Sequence, residues 1–287
     1  MKRREAFTLV ELLMVIAIIA LLTGILVPTL NKVRRMAKAT ICRTNLRQWG
    51  LVFKLFGEDN EAKLPQNFPG GNLNPRAAYW LYVTLPYYKD KDLLFCPSTK
   101  VVYNKPDYPR NTPGSTFACW GPLENGGPMS FYPQSAAGSY GINEWCATPL
   151  PGESTYWGGF PTKNAWKTQL VKGADRIPLL GDCAVLGCFT QDDDPPPAKE
   201  PPPYTGPPYV GWIRHAKHWT ASTNMGLFCL PRHEGAVNLV FLDGSVGAVP
   251  LRALWTLKWH RSFDINGHWT QPWAAWPKWM LKFGDEY

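Results

Sequence analysis

Histidine and cysteine side chains towards the C-terminal end of the chain have spacings that suit a metal ion. Zinc takes four nitrogen or sulfur ligands in a tetrahedron, and one candidate set has H-x2-H and C-x3-H spacings: His215, His218, Cys229 and His233. His233 also precedes Asp243 by ten residues, and that carboxylate could orient the imidazole ring. No serine or cysteine in a nucleophile-elbow context accompanies the pair, so a structural histidine, hydrogen-bonded to the hairpin that follows or to its turn, is the favoured interpretation. We therefore predict no catalytic residue, no metal and no cofactor, and we expect the protein not to be an enzyme.

Seven cysteines are spread along the chain, at positions 42, 96, 119, 146, 183, 188 and 229. They form no C-x-x-C or C-x-x-C-H motif, so thioredoxin-like chemistry and covalent c-type haem are not supported. If the body of the chain lies outside the cytoplasm, some thiols should form disulfides, and the odd number leaves at least one over. We predict the pairs Cys42–Cys96 and Cys183–Cys188, the first because it would join a helix to the body, although sequence alone does not fix connectivity.

An apolar segment near the N-terminus is long enough to cross a membrane. From residue 12 to residue 27 every residue is apolar or small except Thr23, and with residues 7 to 11 the helical run reaches about 31 Å, against about 30 Å for a hydrocarbon core. Basic residues at positions 2 to 4 precede it, so the positive-inside rule leaves the first six residues in the cytoplasm and the rest outside. A cleavable secretory signal is the alternative, but no A-x-A-like site follows the run.

Glu11 places a carboxylate inside this apolar segment, where a charge is costly and needs a cationic partner. The surrounding residues 6 to 13, Ala-Phe-Thr-Leu-Val-Glu-Leu-Leu, resemble the N-terminal cleavage and methylation motif of type IV prepilins and type II secretion pseudopilins. The resemblance implies that a prepilin peptidase cuts between Ala6 and Phe7 and methylates the new amino terminus of Phe7. It also implies that Glu11, the fifth mature residue, pairs with the amino terminus of a neighbouring subunit, and that Pro28 kinks the helix. Ala6 departs from the family, which usually has Gly before the cut.

The segment after Pro28 combines a helical apolar stripe with a basic opposite face. Apolar residues recur at spacings of three and four: Ala39, Cys42, Leu46, Trp49, Phe53 and Phe56. We predict that this stripe is the side of an amphipathic helix that packs on the core. Seven cations lie on the other side: Lys32, Arg34, Arg35, Lys38, Arg43, Arg47 and Lys54. A solvated face is the favoured interpretation for them, with lipid headgroups or acidic neighbours as the alternative, and residues 57 to 60 should end the helix.

The remainder of the chain has the composition of a turn-rich, mainly β body. The sequence contains 28 Pro and 25 Gly but few long periodic stretches, so we expect no long helix after residue 57. The clearest element is a hairpin whose strands, residues 236–242 and 245–249, are joined by Asp243-Gly244, a favoured two-residue turn. Residues 192–203 are too rich in proline for helix or central strand and should form an extended surface loop.

The hairpin carries a second resemblance. His233 is followed by nine residues and then Asp243-Gly244, a pattern that resembles the H-x9-DG domain at the C-terminal end of many large pseudopilin-like proteins. Four shorter segments resemble the same family: Cys42 to Gln48, Cys96 to Ser98, Ser139 to Asn143 and Leu179 to Asp182. We give His233, Asp243 and Gly244 a structural role, and the resemblance supplies no catalytic residue to assign to this chain.

Aromatic residues and charges are distributed unevenly. Six tryptophans fall within 25 residues: Trp255, Trp259, Trp269, Trp273, Trp276 and Trp279. We favour their burial as the tail folds back on the sheet, with stacking on sugars, a membrane interface or a partner contact as alternatives. The net charge is +8, but residues 1–56 hold ten Lys or Arg against two Asp or Glu, and the rest of the chain holds twenty of each. The body therefore has no basic excess for a nucleic acid, and we expect no such partner.

Together these observations predict an α+β, pilin-like protein whose long N-terminal helix packs on a mainly antiparallel, loop-rich β head. We divide it into a cytoplasmic leader (1–6), a long helix (7–56) with a membrane or filament-core half (7–28), and an extracytoplasmic H-x9-DG head (57–287). The expected function is that of a pseudopilin-like structural subunit of a type II secretion or type IV pilus-like filament. It would cross the bacterial inner membrane once, with a periplasmic head, and its partners would be prepilin peptidase, other pilin or pseudopilin subunits, and secreted cargo or glycan. The alternative is a membrane-tethered envelope protein that binds glycan or protein through its Trp-rich C-terminal region.

Overall fold

The longest element is helix α1, Leu9–Asp59, which holds 51 residues in one continuous run. The structure, a computed structural model, describes residues 9–66, 80–99, 114–121, 137–156, 159–200 and 224–284. The helix passes through Pro28 without a break and ends among the residues predicted to end it, because Asn60 begins a turn. Among the described residues it is the one helix long and apolar enough to span a membrane, with a mean hydropathy of 2.8 over its apolar window.

Two threonine hydroxyls in the apolar half of α1 bond to carbonyls of the helix itself. Thr23 Oγ1 donates to Ile19 O at 2.7 Å, and Thr29 Oγ1 donates to Leu26 O at 2.8 Å. Because a hydrocarbon core offers no water as a partner, such internal bonds allow these polar side chains to remain in an apolar segment.

The two halves of α1 have different surroundings. Residues 9 to 38 are exposed throughout, and Ala39 is half-buried. The buried residues of the helix all follow: Cys42, Leu46, Trp49, Gly50, Val52, Phe53, Phe56 and Gly57. The predicted stripe is therefore confirmed from Cys42 onward. The seven cations are exposed as predicted, and one of them, Arg35, pairs with Glu234 of the head at 2.9 Å.

The head is built on a five-stranded sheet. In chain order the strands are β1 (Tyr140–Asn143), β2 (Thr155–Tyr156), β3 (Phe160–Pro161), β4 (Pro178–Asp182), β5 (Gly187–Cys188), β6 (Ala236–Phe241) and β7 (Val246–Pro250). The sheet order is β5-β1-β4-β6-β7, and β2 and β3 form a separate two-stranded ribbon. All pairs are antiparallel except β1 with β5. The predicted α+β layout, a long helix on a mostly antiparallel head, is thus confirmed.

Short helices connect these strands. The α-helices after α1 are α2 (Trp80–Val83), α3 (Asn224–Phe228) and α4 (Lys278–Leu281). The 3-10 helices are Leu85–Tyr87, Lys91–Leu94, Thr162–Asn164, Ala174–Arg176, Leu251–Thr256 and His268–Thr270. In the described part of the chain none of them exceeds six residues, which agrees with the expectation from the proline and glycine content.

Strands β6 and β7 form the predicted hairpin, with Val240 paired to Val246 and the turn at Asp243-Gly244. Gly244 has a φ of +86°, a left-handed conformation that glycine adopts without a steric penalty. Helix α1 packs on this hairpin at close range, since a Cβ on Gly50 would lie 3.1 Å from Val240 Cγ2. The missing side chain of Gly50 allows the helix to approach the sheet.

The Trp-rich tail folds back on the sheet, as the favoured interpretation predicted. Five of its six indoles are buried or half-buried: Trp255, Trp259, Trp269, Trp276 and Trp279. The sixth, Trp273, is 71% exposed. Trp255 and Trp279 donate their indole N–H groups to Asp194 O at 2.9 Å and Pro197 O at 2.7 Å. The described part of the proline-rich loop, residues 192–200, has no helix or strand, as predicted. Through these two hydrogen bonds, the loop lies against the tail.

Candidate functional site

The exposed half of α1 is a long apolar surface. Large apolar side chains are exposed along it from Leu9 to Val33. Glu11 lies in the first described turn of the helix and is itself exposed. Ala6 and Phe7, the predicted cleavage and methylation residues, lie outside the described residues. Pro28 lies inside α1, and the kink predicted there stays a prediction.

A second candidate site lies where α1 meets the sheet. The Sγ atoms of Cys42 and Cys96, a carboxylate oxygen of Asp182 and a ring nitrogen of His233 all lie within 4.8 Å of one another. Cys42 belongs to α1 and Asp182 ends β4, whereas Cys96 follows the 3-10 helix at residues 91–94 and His233 precedes β6. All four side chains are buried. Folding thus brings two thiols, a carboxylate and an imidazole to one buried point, which we call the Cys–His cluster.

Asp182 is the most heavily bonded member of the Cys–His cluster. His233 Nε2 lies 3.1 Å from Oδ2, and the backbone N–H of Asn238 donates to the same oxygen at 2.9 Å. Arg232 Nη1 donates to Oδ1 at 2.9 Å, and both charged side chains of this pair are completely buried. The Cys42 Sγ atom lies 3.8 Å from Oδ2. The carboxylate therefore connects α1, β6 and the loop before β6.

Arg232 is held by many acceptors besides Asp182. Its guanidinium N–H groups donate to four backbone carbonyls, those of Ser115, Thr116, Ser139 and Cys183. A buried charge is stable only when it is paired and its donors are satisfied, and this arrangement meets both conditions. The guanidinium therefore fixes the position of the Asp182 carboxylate.

The thiols of the Cys–His cluster have their own contacts. The Tyr140 hydroxyl donates to Cys42 Sγ at 3.2 Å, and Cys96 Sγ lies 3.5 Å from His233 Nε2. The backbone N–H of Cys96 donates to the Ser139 hydroxyl. Both thiols are therefore held towards the centre of the cluster by neighbours from the sheet and the adjoining loops.

The pKa of each cluster member departs from its ordinary value. A hydrogen bond with Cys42 lowers the pKa of Cys96 to about 6, although burial opposes the shift, and burial raises the pKa of Cys42. Burial would raise the pKa of Asp182, but the hydrogen bond to His233 and the charge of Arg232 hold it at about 2. Burial would lower the pKa of His233, but the hydrogen bond to Asp182 raises it to about 9.

The cysteines predicted to pair are neighbours in the structure. Cys42 and Cys96 meet in the Cys–His cluster, and Cys188 contacts Cys183 through its buried thiol. All four carry free thiols in the structure, as do the remaining three cysteines. The two disulfides therefore stay predictions.

The ring of His233 bonds to Asp182, and this corrects the expectation that it bonds to the hairpin or its turn. Among the described residues, His233 reaches the hairpin through its backbone, which forms two hydrogen bonds with Ala236. Asp243 instead closes the turn by accepting from the backbone N–H and the hydroxyl of Ser245. Of the zinc set weighed from spacing, His215 and His218 lie outside the described residues, and Cys229 is buried but does not belong to the Cys–His cluster.

Sequence reasoning missed Asp182 and Arg232 as site residues. A signal was nevertheless available, because Cys42, Cys96 and Asp182 each lie in one of the short segments that resemble pseudopilin-like proteins, and Tyr140 lies in another. These segments are distant in sequence and meet in the Cys–His cluster.

Comparison with known proteins bears on the N-terminal end of the chain. Residues 1–27 match the family model described as the prokaryotic N-terminal methylation motif. No curated protein and no solved structure matches the chain. The motif is prepilin-type, and it implies processing by prepilin peptidase and membrane association with pilin subunits. Motif and fold together support a type IV pilin- or pseudopilin-like protein that is processed as a prepilin and anchored by one helix.

Proposed function

We propose that the protein is a pseudopilin-like structural subunit of a type II secretion or type IV pilus-like filament. Residues 7–28 insert in the bacterial inner membrane, with the leader (1–6) in the cytoplasm and the head (57–287) in the periplasm. Prepilin peptidase removes the leader, and the mature protein enters a filament by packing its helix against those of other subunits. Its work is assembly, and we assign it no catalytic activity.

One observation carries this proposal: the first half of α1 exposes an apolar surface, whereas the second half packs on the head. Residues 9 to 38 of α1 are exposed and mostly apolar, whereas the buried residues of the same helix begin at Cys42. Exposed apolar area costs about 25 cal/mol per Å² in water, so a surface of this length needs a covering. Lipid would cover it before assembly and neighbouring apolar helices afterwards, while the second half of the helix holds the head.

Glu11 sets the register between subunits in this proposal. A carboxylate in a lipid-embedded helix is costly, by roughly 2.5–3.5 kcal/mol at the centre of the helix and by less near its end, where Glu11 lies. In the assembled filament, the positively charged amino terminus of Phe7 on a neighbouring subunit would lie beside this carboxylate and neutralise its charge. Subunits would therefore be most stable when Glu11 of one meets Phe7 of the next.

The head corresponds in this proposal to the H-x9-DG domain of pseudopilin-like proteins. In its support, His233 and the Asp243-Gly244 turn bracket the observed β6 strand, and the other family-like segments surround Asp182. Glycan binding through the Trp-rich tail is not advanced as a second function, because Trp273 is the one exposed indole of the six in that tail.

The test compares two substitutions in the apolar half of α1, made in the native host. Glu11→Ala removes the proposed intersubunit partner, whereas Thr23→Ala removes a hydroxyl that bonds within its own helix. We expect both variants to be processed to the mature mass, and only Glu11→Ala to be lost from sheared filaments and from subunit ladders after chemical cross-linking. A Glu11→Ala protein that cross-links to its neighbours as the unsubstituted protein does would contradict the assembly role.

A further inference from the structure

We propose that Cys42, Cys96, Asp182 and His233 form a tetrahedral site for a divalent transition-metal ion, with zinc as the best fit. Thiolate sulfur, imidazole nitrogen and carboxylate oxygen are all ligands that zinc accepts, whereas magnesium and calcium require oxygen ligands. The site departs from two expectations drawn from the sequence, that of no metal and that of a Cys42–Cys96 disulfide. It shares only His233 with the zinc set weighed there from spacing.

Three of the six distances within the Cys–His cluster match the edges of such a tetrahedron, and the other three are at most 4.8 Å. Bonds from zinc of about 2.3 Å to sulfur and about 2.0–2.1 Å to nitrogen or oxygen place two ligands about 3.6 Å apart when one is sulfur, and about 3.3 Å apart when neither is. The observed distances are 3.5 Å from Cys96 Sγ to His233 Nε2, 3.8 Å from Cys42 Sγ to Asp182 Oδ2 and 3.1 Å from His233 Nε2 to Asp182 Oδ2. These three distances agree with the calculated edges within about 0.2 Å.

Hydrogen bonds around the four ligands fix their orientation. Arg232 and the backbone N–H of Asn238 donate to the Asp182 carboxylate, each at 2.9 Å, and the Tyr140 hydroxyl donates to Cys42 Sγ at 3.2 Å. A carboxylate has about four lone-pair positions, so these bonds leave room for a metal. Outer partners of this kind orient metal ligands in proteins and tune their affinity.

The charges also favour an ion at this point. Two thiolates and one carboxylate carry three negative charges, which a divalent ion and the completely buried Arg232 guanidinium together neutralise. Uncompensated charge is costly in a protein interior, so the fully deprotonated cluster without an ion would be strongly disfavoured. Metal and protons would therefore compete for the same four side chains.

A cavity beside the cluster offers the ion an entry path, and the positions of the four ligands give it a structural role. A cavity of about 340 Å³ lies beside the cluster and is lined by His233, Arg232, Ser98 and Arg35 among others. An ion bound to the cluster would join α1, the segment at Cys96, the end of β4 and the loop before β6. Four protein ligands leave no open coordination position, which is typical of structural sites. The ion would thus fix the helix to the head.

The test counts metal in the full-length protein, purified in detergent from membranes with its thiols kept reduced. We expect one zinc ion per chain after dialysis against metal-free buffer, measured by inductively coupled plasma mass spectrometry. Cys96→Ser and His233→Gln should weaken zinc binding at least about tenfold. Cys229→Ala removes another completely buried thiol, outside the cluster, and should retain the ion.

A second measurement keeps the proposal testable if the variants fail to fold. The unsubstituted protein is titrated with Co²⁺, and we expect the thiolate-to-cobalt charge-transfer and d–d absorption of a tetrahedral thiolate complex, at one equivalent. Reduced protein that binds no zinc and gives no such spectrum would overturn the proposal. A Cys42–Cys96 disulfide, found by peptide mapping of protein alkylated at lysis of the native host, would overturn it as well, because two ligands would be lost.

Discussion

The His233 Nε2 atom lies 3.1 Å from Oδ2 of Asp182, although one residue precedes the β6–β7 hairpin and the other ends β4. The neighbour of His233 in sequence, Arg232, donates to the second oxygen of the same carboxylate at 2.9 Å. Cys42 of α1 lies against the same group, 3.8 Å away. The junction between the long helix and the head therefore centres on one buried carboxylate.

Removal of the Arg232 guanidinium should destabilise the head strongly. Arg232→Met would leave the completely buried Asp182 carboxylate without its counter-charge, at a cost of about 3–5 kcal/mol in the free energy of unfolding. Arg232→Lys should recover only part of this, because an ammonium group cannot reach the same set of carbonyls. Urea unfolding of the detergent-solubilised chain measures the change. Arg47→Met, on the exposed face of α1, is the control and should change stability by less than about 0.5 kcal/mol; equal effects at both positions would contradict the assignment.

Gly141 should not tolerate a side chain. It pairs with Gly181 across β1 and β4, and a Cβ at Gly141 would lie 2.2 Å from the carbonyl oxygen of Val185. Because a backbone carbonyl cannot rotate away, Gly141→Ala should lower the free energy of unfolding by about 1–3 kcal/mol. Thermal unfolding measures this, with Gly247→Ala in β7 as control, since a Cβ there would meet only the Phe241 ring at 3.5 Å. Equal melting temperatures for the two variants would show that the strands are not packed as described.

His260 should make the head less stable in mild acid. Its side chain is buried against Trp145, neither ring nitrogen has a hydrogen-bond partner among the described residues, and burial lowers its pKa to about 4. The unfolded chain, with an ordinary histidine pKa of about 6.5, therefore binds a proton first as the pH falls. The contribution of the neutral His260 to the free energy of unfolding is therefore complete above pH 6.5. It is lost as the pH falls from about 6.5 to about 4, by at most about 1.4 kcal/mol per pH unit.

The prediction for His260 is checked by the pH dependence of the difference in unfolding free energy between a His260→Leu variant and the unsubstituted protein. His260→Leu removes the titrating group, so the free energy of unfolding of the variant, minus that of the unsubstituted protein, should increase as the pH is lowered from 6.5 to 4. Taking the difference cancels the titration of groups common to both proteins. Parallel stability curves for the two proteins would contradict the assigned burial.

Substitutions in the Trp-rich tail should destabilise the head at the buried Trp259 but not at the exposed Trp273. Trp259 is completely buried and donates its N–H to Leu254 O at 2.7 Å, so Trp259→Ala should cost about 3–5 kcal/mol. Trp273→Ala, at an exposed position, should change stability by less than about 0.5 kcal/mol. Urea unfolding of the two variants measures both values. Similar losses for both would mean that the tail packs differently.

Elements that depend on neighbouring residues could be predicted from the sequence, whereas contacts between distant segments could not. The Asp243-Gly244 hairpin and the stripe from Cys42 to Phe56 follow from turn preferences and helical spacing, which depend on neighbouring residues only. The partner of His233 could not be found in this way. Asp243, the carboxylate weighed from the H-x9-DG spacing, accepts from Ser245 instead, whereas Asp182 arrives through the pairing of β4 with β6. The proline-rich loop shows the same division: its lack of helix and strand was predictable, but its contact with Trp279 depends on the folding of the tail.

The most direct measurement is the intact mass and N-terminal sequence of the protein extracted from membranes of its native host. We expect a chain that begins at N-methylated Phe7, with residues 1–6 removed. A chain that retains Met1, or one that begins beyond Val27, would contradict the central claim that this protein is processed and assembled as a pseudopilin-like subunit.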